Sequence, residues 1–320
     1  MSIVKGPLFS LDADGTVGKS LSYSKKKQNS IVSKYSKPGD VSPGESSPRQ
    51  KDQRSIIRLI TIHWQCMDDI DRLTWETAAK AARFKGSGYH YFLHLAQTNL
   101  TQYLGLVGYW SMNYNIGDKI PDLSGNGNHG TLSPVYPCDS PTLVDSFNKK
   151  QGKAAKFDGI TGFINCGNDL SLKPSNFITI EAVLKTTSIV NQVFLGLDSN
   201  HKYFGTISPN LFYINFYTTL LDQSWAPALP ISFNDNKYHQ YVCTYNSTDG
   251  FLSAYFDGKY LDHKYYGGAI FISPAYNISI SGRMGGSSML FDGNIDEVLI
   301  FNTILSPSEI FKHYQSYNLP

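Results

Sequence analysis

Apolar and polar positions change rhythm twice along this chain. Up to about residue 37, short apolar runs alternate with turn residues. Leu8-Phe9-Ser10-Leu11 precedes Asp14-Gly15, a tight-turn pair, and residues 20–23 and 31–35 have the period-two texture of short strands. Prolines, glycines and serines crowd residues 37–48 and predict a linker. The period then lengthens. Ile56, Ile60, His63, Trp64 and Met67 fall at helical spacing. A second helix is expected from Thr74 as N-cap, burying Trp75, Ala78, Ala79 and Ala82 and ending at Gly86-Ser-Gly88. A third carries Tyr89, Phe92, Leu93 and Ala96. From Gly105 the period shortens again, and Asp-Gly pairs at 158–159, 249–250, 257–258 and 292–293 punctuate aromatic and β-branched runs. About a dozen such segments without helices between them predict a two-sheet antiparallel sandwich. The chain closes on Ser306-Pro307-Ser308-Glu309, a capping box that starts a short helix with Ile310, Phe311 and Tyr314 on its buried side.

The fold class is therefore mostly β. A small α+β module of hairpin, linker and about three helices occupies residues 1–105, and a jelly-roll sandwich occupies 106–320. The apolar inventory of the first module is thin, so burial of one or two helices against a partner would help it. No apolar run reaches the roughly 20 residues of a membrane span. Residues 1–7 lack the apolar core of a signal peptide. Cys66, Cys138, Cys166 and Cys243 form no C-x-x-C pair. They read as buried thiols, with one disulfide such as Cys138–Cys166 left open. The histidines show no zinc spacing.

Charge divides the chain. Residues 1–106 hold 15 Lys and Arg against 9 Asp and Glu, and the remainder holds 13 against 17. Lys25, Lys26 and Lys27 sit in the densest basic stretch. They are candidates to contact an acidic neighbour, or else a solvated hairpin face. No nucleic-acid motif accompanies them.

Read in order, eight blocks of the second half form a familiar set: Leu106-Val-Gly-Tyr-Trp110, Asp122-Leu-Ser-Gly-Asn-Gly-Asn-His-Gly130, Gly152-Lys-Ala-Ala-Lys-Phe-Asp-Gly159, Phe177-Ile-Thr-Ile-Glu-Ala182, Lys237-Tyr-His-Gln-Tyr-Val242, Ala254-Tyr-Phe-Asp-Gly-Lys259, Asp292-Gly-Asn-Ile-Asp-Glu-Val-Leu-Ile-Phe-Asn302 and Leu305-Ser-Pro-Ser-Glu-Ile310. Residues 106–317 resemble the laminin-G-like jelly roll, the concanavalin A-like lectin/glucanase fold. In such domains the Ser-Gly-Asn loop and the Ile-Asp-Glu-Val aspartate often hold one calcium ion. The resemblance thus makes Asp122, Asn126, Asn128 and Asp296 the candidate Ca²⁺ ligands, all with the hard oxygens that ion takes. The competing reading is that Asp122 caps its own loop and Asp296 braces a strand end. Glycosidases of this fold present paired carboxylates. Here Glu181 stands alone, and Asp296 and Glu297 are adjacent, so they are expected on opposite faces of a strand. An enzyme is not expected.

Val4-Lys-Gly-Pro-Leu-Phe-Ser-Leu-Asp-Ala-Asp-Gly-Thr-Val-Gly-Lys19 resembles the opening of a family of tailed-phage virion proteins. Further similarities are Ser24 to Lys27, Val32 to Tyr35, Pro38 to Arg54, Thr74 to Ala82 and Ser87 to Phe92. The family's Trp-Lys-Gly is replaced here by Lys26-Lys27-Gln28, and the linker is Ser-rich where the family tends to have Asn-Pro. The resemblance implies a virion component, multimeric in the particle and partnered by other virion proteins, with no membrane and no specific nucleic-acid partner. The second half would be displayed for weak, repeated adhesion to host-surface glycan. Trp225, Tyr265 and Tyr266 lie in turn-rich segments and are the candidate sugar-stacking residues. A capsid decoration protein that only cements its neighbours, and a bacterial carbohydrate-binding module, are the alternatives.

Overall fold

The computed structural model describes residues 2–4, 15–17, 21–26 and 29–34 as backbone strands. It also describes residues 47–133, 141–147, 152–196, 206–208, 211–220, 222–230, 233–270, 277–282 and 289–319. Two compact units result: Met1–Gln50 with Met67–His94, and Lys51–Cys66 with Leu95–Pro320.

In the first unit, β1 (Ser2–Val4), β2 (Gly15–Val17), β3 (Leu21–Lys26) and β4 (Asn29–Lys34) form an antiparallel sheet in the order β1-β4-β3-β2. The expected hairpin is β3–β4, and it gains a strand on each side. The run 8–11, Asp14 and most of the 37–48 segment lie outside the described residues. α1 (Pro48–Cys66) starts at the last residue of the expected linker. Ser47 Oγ accepts from the Gln50 N–H at 3.2 Å, and Gln50 Oε1 accepts from the Ser47 N–H at 2.9 Å, with Pro48 first in the helix.

α2 (Asp69–Ala81) starts five residues before the predicted Thr74, because Asp68 accepts from the Asp71 N–H at 2.7 Å and supplies the cap. Thr74 is inside the helix and donates back to the Ile70 carbonyl at 3.0 Å. Only Ala79 of the expected stripe is fully buried, and Ala82 is exposed. Trp75 packs edge-on against Phe92 of α3 (Gly88–Thr98), with ring centroids 5.0 Å apart. A Cβ on Gly88 would lie 2.6 Å from the Glu76 nitrogen, so only glycine lets the two helices approach there.

The second unit is the sandwich. After α4 (Leu100–Leu104) come β5 (Leu106–Trp110), β6 (Lys119–Ile120), β7 (Gly130–Ser133), β8 (Thr142–Asp145), β9 (Lys153–Asp158), β10 (Phe163–Asn165) and β11 (Phe177–Lys185). Next are β12 (Gln192–Val193), β13 (Leu195–Gly196), β14 (Thr206–Ser208), β15 (Leu211–Tyr217) and β16 (Asp222–Trp225). β17 (His239–Asn246), β18 (Phe251–Phe256), β19 (Lys259–Tyr265), β20 (Ser279–Ile280), β21 (Asp292–Phe301) and α5 (Pro307–Tyr317) complete the chain. The large sheet runs β19-β18-β17-β11-β21-β9-β8, with β5 pairing the C-terminal half of β21. Its inner face packs on two smaller sheets, β13-β20-β10-β7-β6 and β12-β14-β15-β16. Ile178, Ile180, Ala182, Leu184, Cys243, Ala254, Ile295 and Val298 supply much of that inner face. Cys166 and Cys243 are buried free thiols and Cys66 is a free, half-buried one; Cys138 lies outside the described residues.

The outer face is partly polar and nevertheless buried. Ile295 and Val298 both belong to the core although three residues apart. Strict alternation would separate them, but β21 carries one extra residue opposite the Glu181–Val183 step, and Glu297 takes φ +50°. The bulge turns both Asp296 and Glu297 outward, which corrects the expectation of opposite faces. Glu181 of β11 points the same way. It accepts from Gln240 Nε2 at 2.6 Å, Tyr317 OH at 2.7 Å and His313 Nδ1 at 2.7 Å.

The helices cover these carboxylates. α5 brings His313 and Tyr317. Lys51–Cys66 brings Arg58, whose Nη2 lies 3.4 Å from Glu297 Oε2 and whose guanidinium lies 4.9 Å from the Tyr317 ring centroid. Tyr109 OH donates to the same Glu297 oxygen at 2.6 Å. Nearby, Asp52 Oδ1 accepts from Ser111 and Asn113, each at 2.7 Å, and His63 Nδ1 meets Glu309 at 2.8 Å. Residues Lys51–Cys66 thus cluster with the sandwich, where they cover charges of its sheet.

Burial favours the neutral form of every carboxyl here. At Glu181 the charge of His313 and the hydrogen bonds outweigh burial, and its pKa falls below the ordinary carboxylate value. At Asp296 burial and the neighbouring Glu297 charge add, and its pKa rises well above it. The two groups thus oppose each other in acid. Glu181 stabilises the fold above its unfolded pKa and loses that contribution as pH falls through its folded pKa. Asp296 binds a proton more tightly when folded, so stability declines as pH rises from its unfolded pKa through its folded one. Thermal melts at pH 8 should show Asp296→Asn at least as stable as the parent, while Glu181→Gln loses on the order of 3 kcal/mol.

Candidate functional site

β19 is an edge strand of the large sheet, joined to β18 by Asp257-Gly258. Both turn residues have positive φ, +48° and +73°, as a two-residue hairpin turn requires. Leu252, Ala254 and Phe256 fill the core, so Phe251, Ser253 and Tyr255 stand on the outer face. Across from them in register are Tyr265, His263 and Tyr260. Tyr260 reaches that face only because Leu261 is an extra residue in β19. Strict alternation would point Tyr260 and His263, three residues apart, to opposite sides.

The outcome is a continuous strip of rings. Phe251 lies 5.6 Å from Tyr265 and 4.9 Å from His263, and Tyr255 lies 5.5 Å from Tyr260, all edge-to-face. Tyr260 and His263 close the strip at 6.3 Å, and the Tyr260 hydroxyl contacts His263 Nδ1. Tyr255 is the buried base. Phe251, Tyr260 and Tyr265 are 39%, 50% and 58% exposed. Five aromatic side chains on the β18–β19 face, four of them (Phe251, Tyr260, His263 and Tyr265) open to water, form a platform for a flat ligand with apolar faces.

At the turn end this hairpin is pinned by His239. Its ring stacks on Phe256 at 4.9 Å, with Nδ1 2.8 Å from Asp257 and Nε2 3.2 Å from Asp235. Burial opposes the imidazolium, but the two aspartates overrule it and raise the pKa above the ordinary histidine value.

Of the three predicted stacking residues, Tyr265 is on this strip. Tyr266 is not: the alternation that exposes Tyr265 sends its neighbour into the core, where it is 1% exposed. Trp225 ends β16, opposite Ile214, and is half-buried against the core. Phe251, Tyr255, Tyr260 and His263 were missed as site residues although their hairpin was recognised, because the Leu261 bulge that sets their facing has no local sequence signature.

The Asp122 side chain is engaged by its own loop and by β5. Asp122 Oδ1 accepts from the N–H groups of Tyr109 at 3.0 Å and Ser124 at 2.9 Å; Oδ2 accepts from Ser124 Oγ at 2.8 Å and the Asn128 N–H at 2.9 Å. Asn126 Nδ2 donates to Thr101 at 2.9 Å, and Asn128 Nδ2 to the Val107 carbonyl at 3.1 Å. Asp296 is elsewhere on the sheet, accepting from Ser146 and from the Glu297 N–H at 2.8 Å. Among the described residues, no three His, Cys, Asp or Glu side chains gather as a metal site. Lys25 and Lys26 end β3, and Lys27 lies outside the described residues. Asp122→Ala should cost about 2–4 kcal/mol, equally in chelator and in millimolar Ca²⁺, when stability is followed by denaturant melts. A loss confined to the calcium sample would assign the loop to cation binding instead.

Residues 158–311 match the family described as the concanavalin A-like lectin/glucanases superfamily. No curated protein matches the chain. Among solved structures, the binding domain of Paraclostridial Mosquitocidal Protein 1 aligns with a TM-score of 0.52 at 16% identity, over 66% of this chain and 52% of that one. The binding domain of Botulinum neurotoxin serotype G aligns at 0.50 and 15%, over 66% and 51%. Domain 4 of AbnA, an extracellular arabinanase of Geobacillus stearothermophilus solved with arabinotriose, aligns at 0.45 and 17%, over 64% and 96%. The chain spans about half the length of the two toxin binding domains. At these identities the likeness is one of fold. Residues 158–311 have the concanavalin A-like lectin fold.

Proposed function

We propose that the sandwich is a non-enzymatic adhesion domain that holds a neutral glycan against the Tyr260–His263–Phe251–Tyr265 strip. The single observation carrying this reading is that strip: exposed rings in mutual contact on a rigid sheet edge. Sugar rings present flat C–H faces to aromatic π-faces and hydroxyls at their rims. His263, itself exposed and in register with Ser253 on the same face, supplies a polar partner beside the rings. Rings already packed on one another lose little conformational entropy on binding.

Catalysis is disfavoured by burial. Glu181 and Glu297 are 0% exposed beneath α5 and residues 51–66, so neither can reach a glycosidic bond. The resemblance of residues 3–100 to tailed-phage virion proteins supports display in many copies, where weak single contacts add by avidity.

The full chain should be screened against immobilised neutral oligosaccharides, and the best binder titrated by calorimetry. Tyr260→Ala and Tyr265→Ala should each weaken binding about tenfold or more, the scale of a lost stacking platform, with unchanged circular dichroism. Trp225→Phe should leave affinity unchanged. Equal affinity in all variants would remove the strip from the account and favour a purely cementing role.

A further inference from the structure

A second outer-face feature lies apart from the aromatic strip. Asn294 of β21 is paired in register with Lys156 of β9 on one side and Lys185 of β11 on the other. Their in-strand neighbours Ala155, Phe157, Leu184 and Ile295 are core residues, so all three side chains stand on the outer face. Adjacent strands are about 4.8 Å apart, which sets the two lysines about 10 Å apart with the amide between them. This rung floors a cleft of about 430 Å³, walled by Val144, Asp145, Thr187, Asn236 and Asp292. That volume suits a small organic ligand better than a lone inorganic ion.

The lining carries two lysines, Lys156 and Lys185, and two aspartates, Asp145 and Asp292. Asp145 is held by Lys153 at 2.6 Å. Lys185 Nζ lies over the Tyr238 ring at 5.2 Å, and Asn294 Nδ2 donates to Tyr238 OH at 2.7 Å, so Tyr238 steadies both floor residues from one side. Lys156 and Lys185 form no ion pair with a carboxylate among the described residues, and Asp292 is the one remaining acidic wall residue. Two like charges line a cleft that otherwise offers an amide oxygen, a hydroxyl and carboxylate acceptors. That set matches a molecule with one anionic group and several hydroxyls.

We propose that the Lys156–Asn294–Lys185 rung is a binding site for an acidic saccharide residue, its carboxylate held between the two ammonium groups and its hydroxyls turned to Asn294, Asn236 and Asp292. The site is independent of the aromatic strip, and the two fail separately. Full-length protein is titrated with trigalacturonate, with neutral galactotriose and with inorganic phosphate, at low and at physiological salt. Trigalacturonate should bind more tightly than either control. Its affinity should fall as salt rises, and at least about tenfold in the Lys156→Gln/Lys185→Gln variant. Tyr260→Ala should lose less trigalacturonate affinity than the lysine variant does. Trigalacturonate binding no better than galactotriose, or unaltered in the lysine variant, would overturn the proposal. Phosphate binding equal to trigalacturonate would also overturn it, reducing the rung to a general anion contact.

Discussion

Glu181, Asp296 and Glu297 are buried side by side on the outer face of the large sheet, and the architecture around them follows from that fact. A carboxylate removed from water costs several kcal/mol unless partners replace the lost hydration. The sheet alone supplies Gln240 and Tyr109. The rest comes from elements distant in sequence: His313 and Tyr317 from α5, and Arg58 from the helix before the sandwich. The apolar parts of those helices, Leu59, Ile60, Ile62 and Ile310, are buried with them. Covering the charges and burying apolar area are thus one event. The conflict is not fully resolved: Glu297 Oε1 accepts no hydrogen bond from the described residues, and Asp296 relieves its repulsion by favouring the protonated form. Such an arrangement specifies which helices dock more than it adds stability.

This cover occupies only part of the outer face. Near the Asp257-Gly258 turn, α5 still touches the sheet, where Gly258 faces Tyr314 and Phe311. Beyond it, the face of β18 and β19 is open, and rings stand there in place of charges. The other opening, around Asn294, is polar. A lectin-like sandwich thereby has two chemically different exposed surfaces on one sheet, with an inaccessible acidic region between the helices and the strands. The same construction explains why acidic residues in a glucanase-like fold need not act on glycans: they face helices, not solvent.

Much of the fold was legible in the sequence, since turn pairs and alternation act locally. Asp257-Gly258 is the turn it advertises, and Ser306 with Glu309 forms the capping box. What escaped was set by partners far along the chain. Asp292-Gly293 reads as another hairpin turn but lies in β21. Gly293 is required there because a Cβ would sit 2.1 Å from the Lys185 carbonyl oxygen. The Ser47-Pro48-Arg49-Gln50 cap was hidden within a Pro- and Ser-rich stretch. For the site, Tyr265 was identifiable as an exposed aromatic, but Tyr266 was assigned with it because the phase of a strand cannot be read without knowing which face is buried. Two bulges, at Glu297 and at Leu261, each shift that phase by one residue, and both decide chemistry: one gathers the carboxylates, the other completes the aromatic strip.

The central claim is that the open β18–β19 face is where the ligand lies. A crystal structure of the full chain with its best-binding neutral oligosaccharide tests it most directly. The account predicts a pyranose ring lying flat on Tyr260 or Tyr265, with hydroxyls toward His263. Sugar bound at the Asp122 loop or on the smaller sheets, with the Tyr260–Tyr265 face bare, would contradict it.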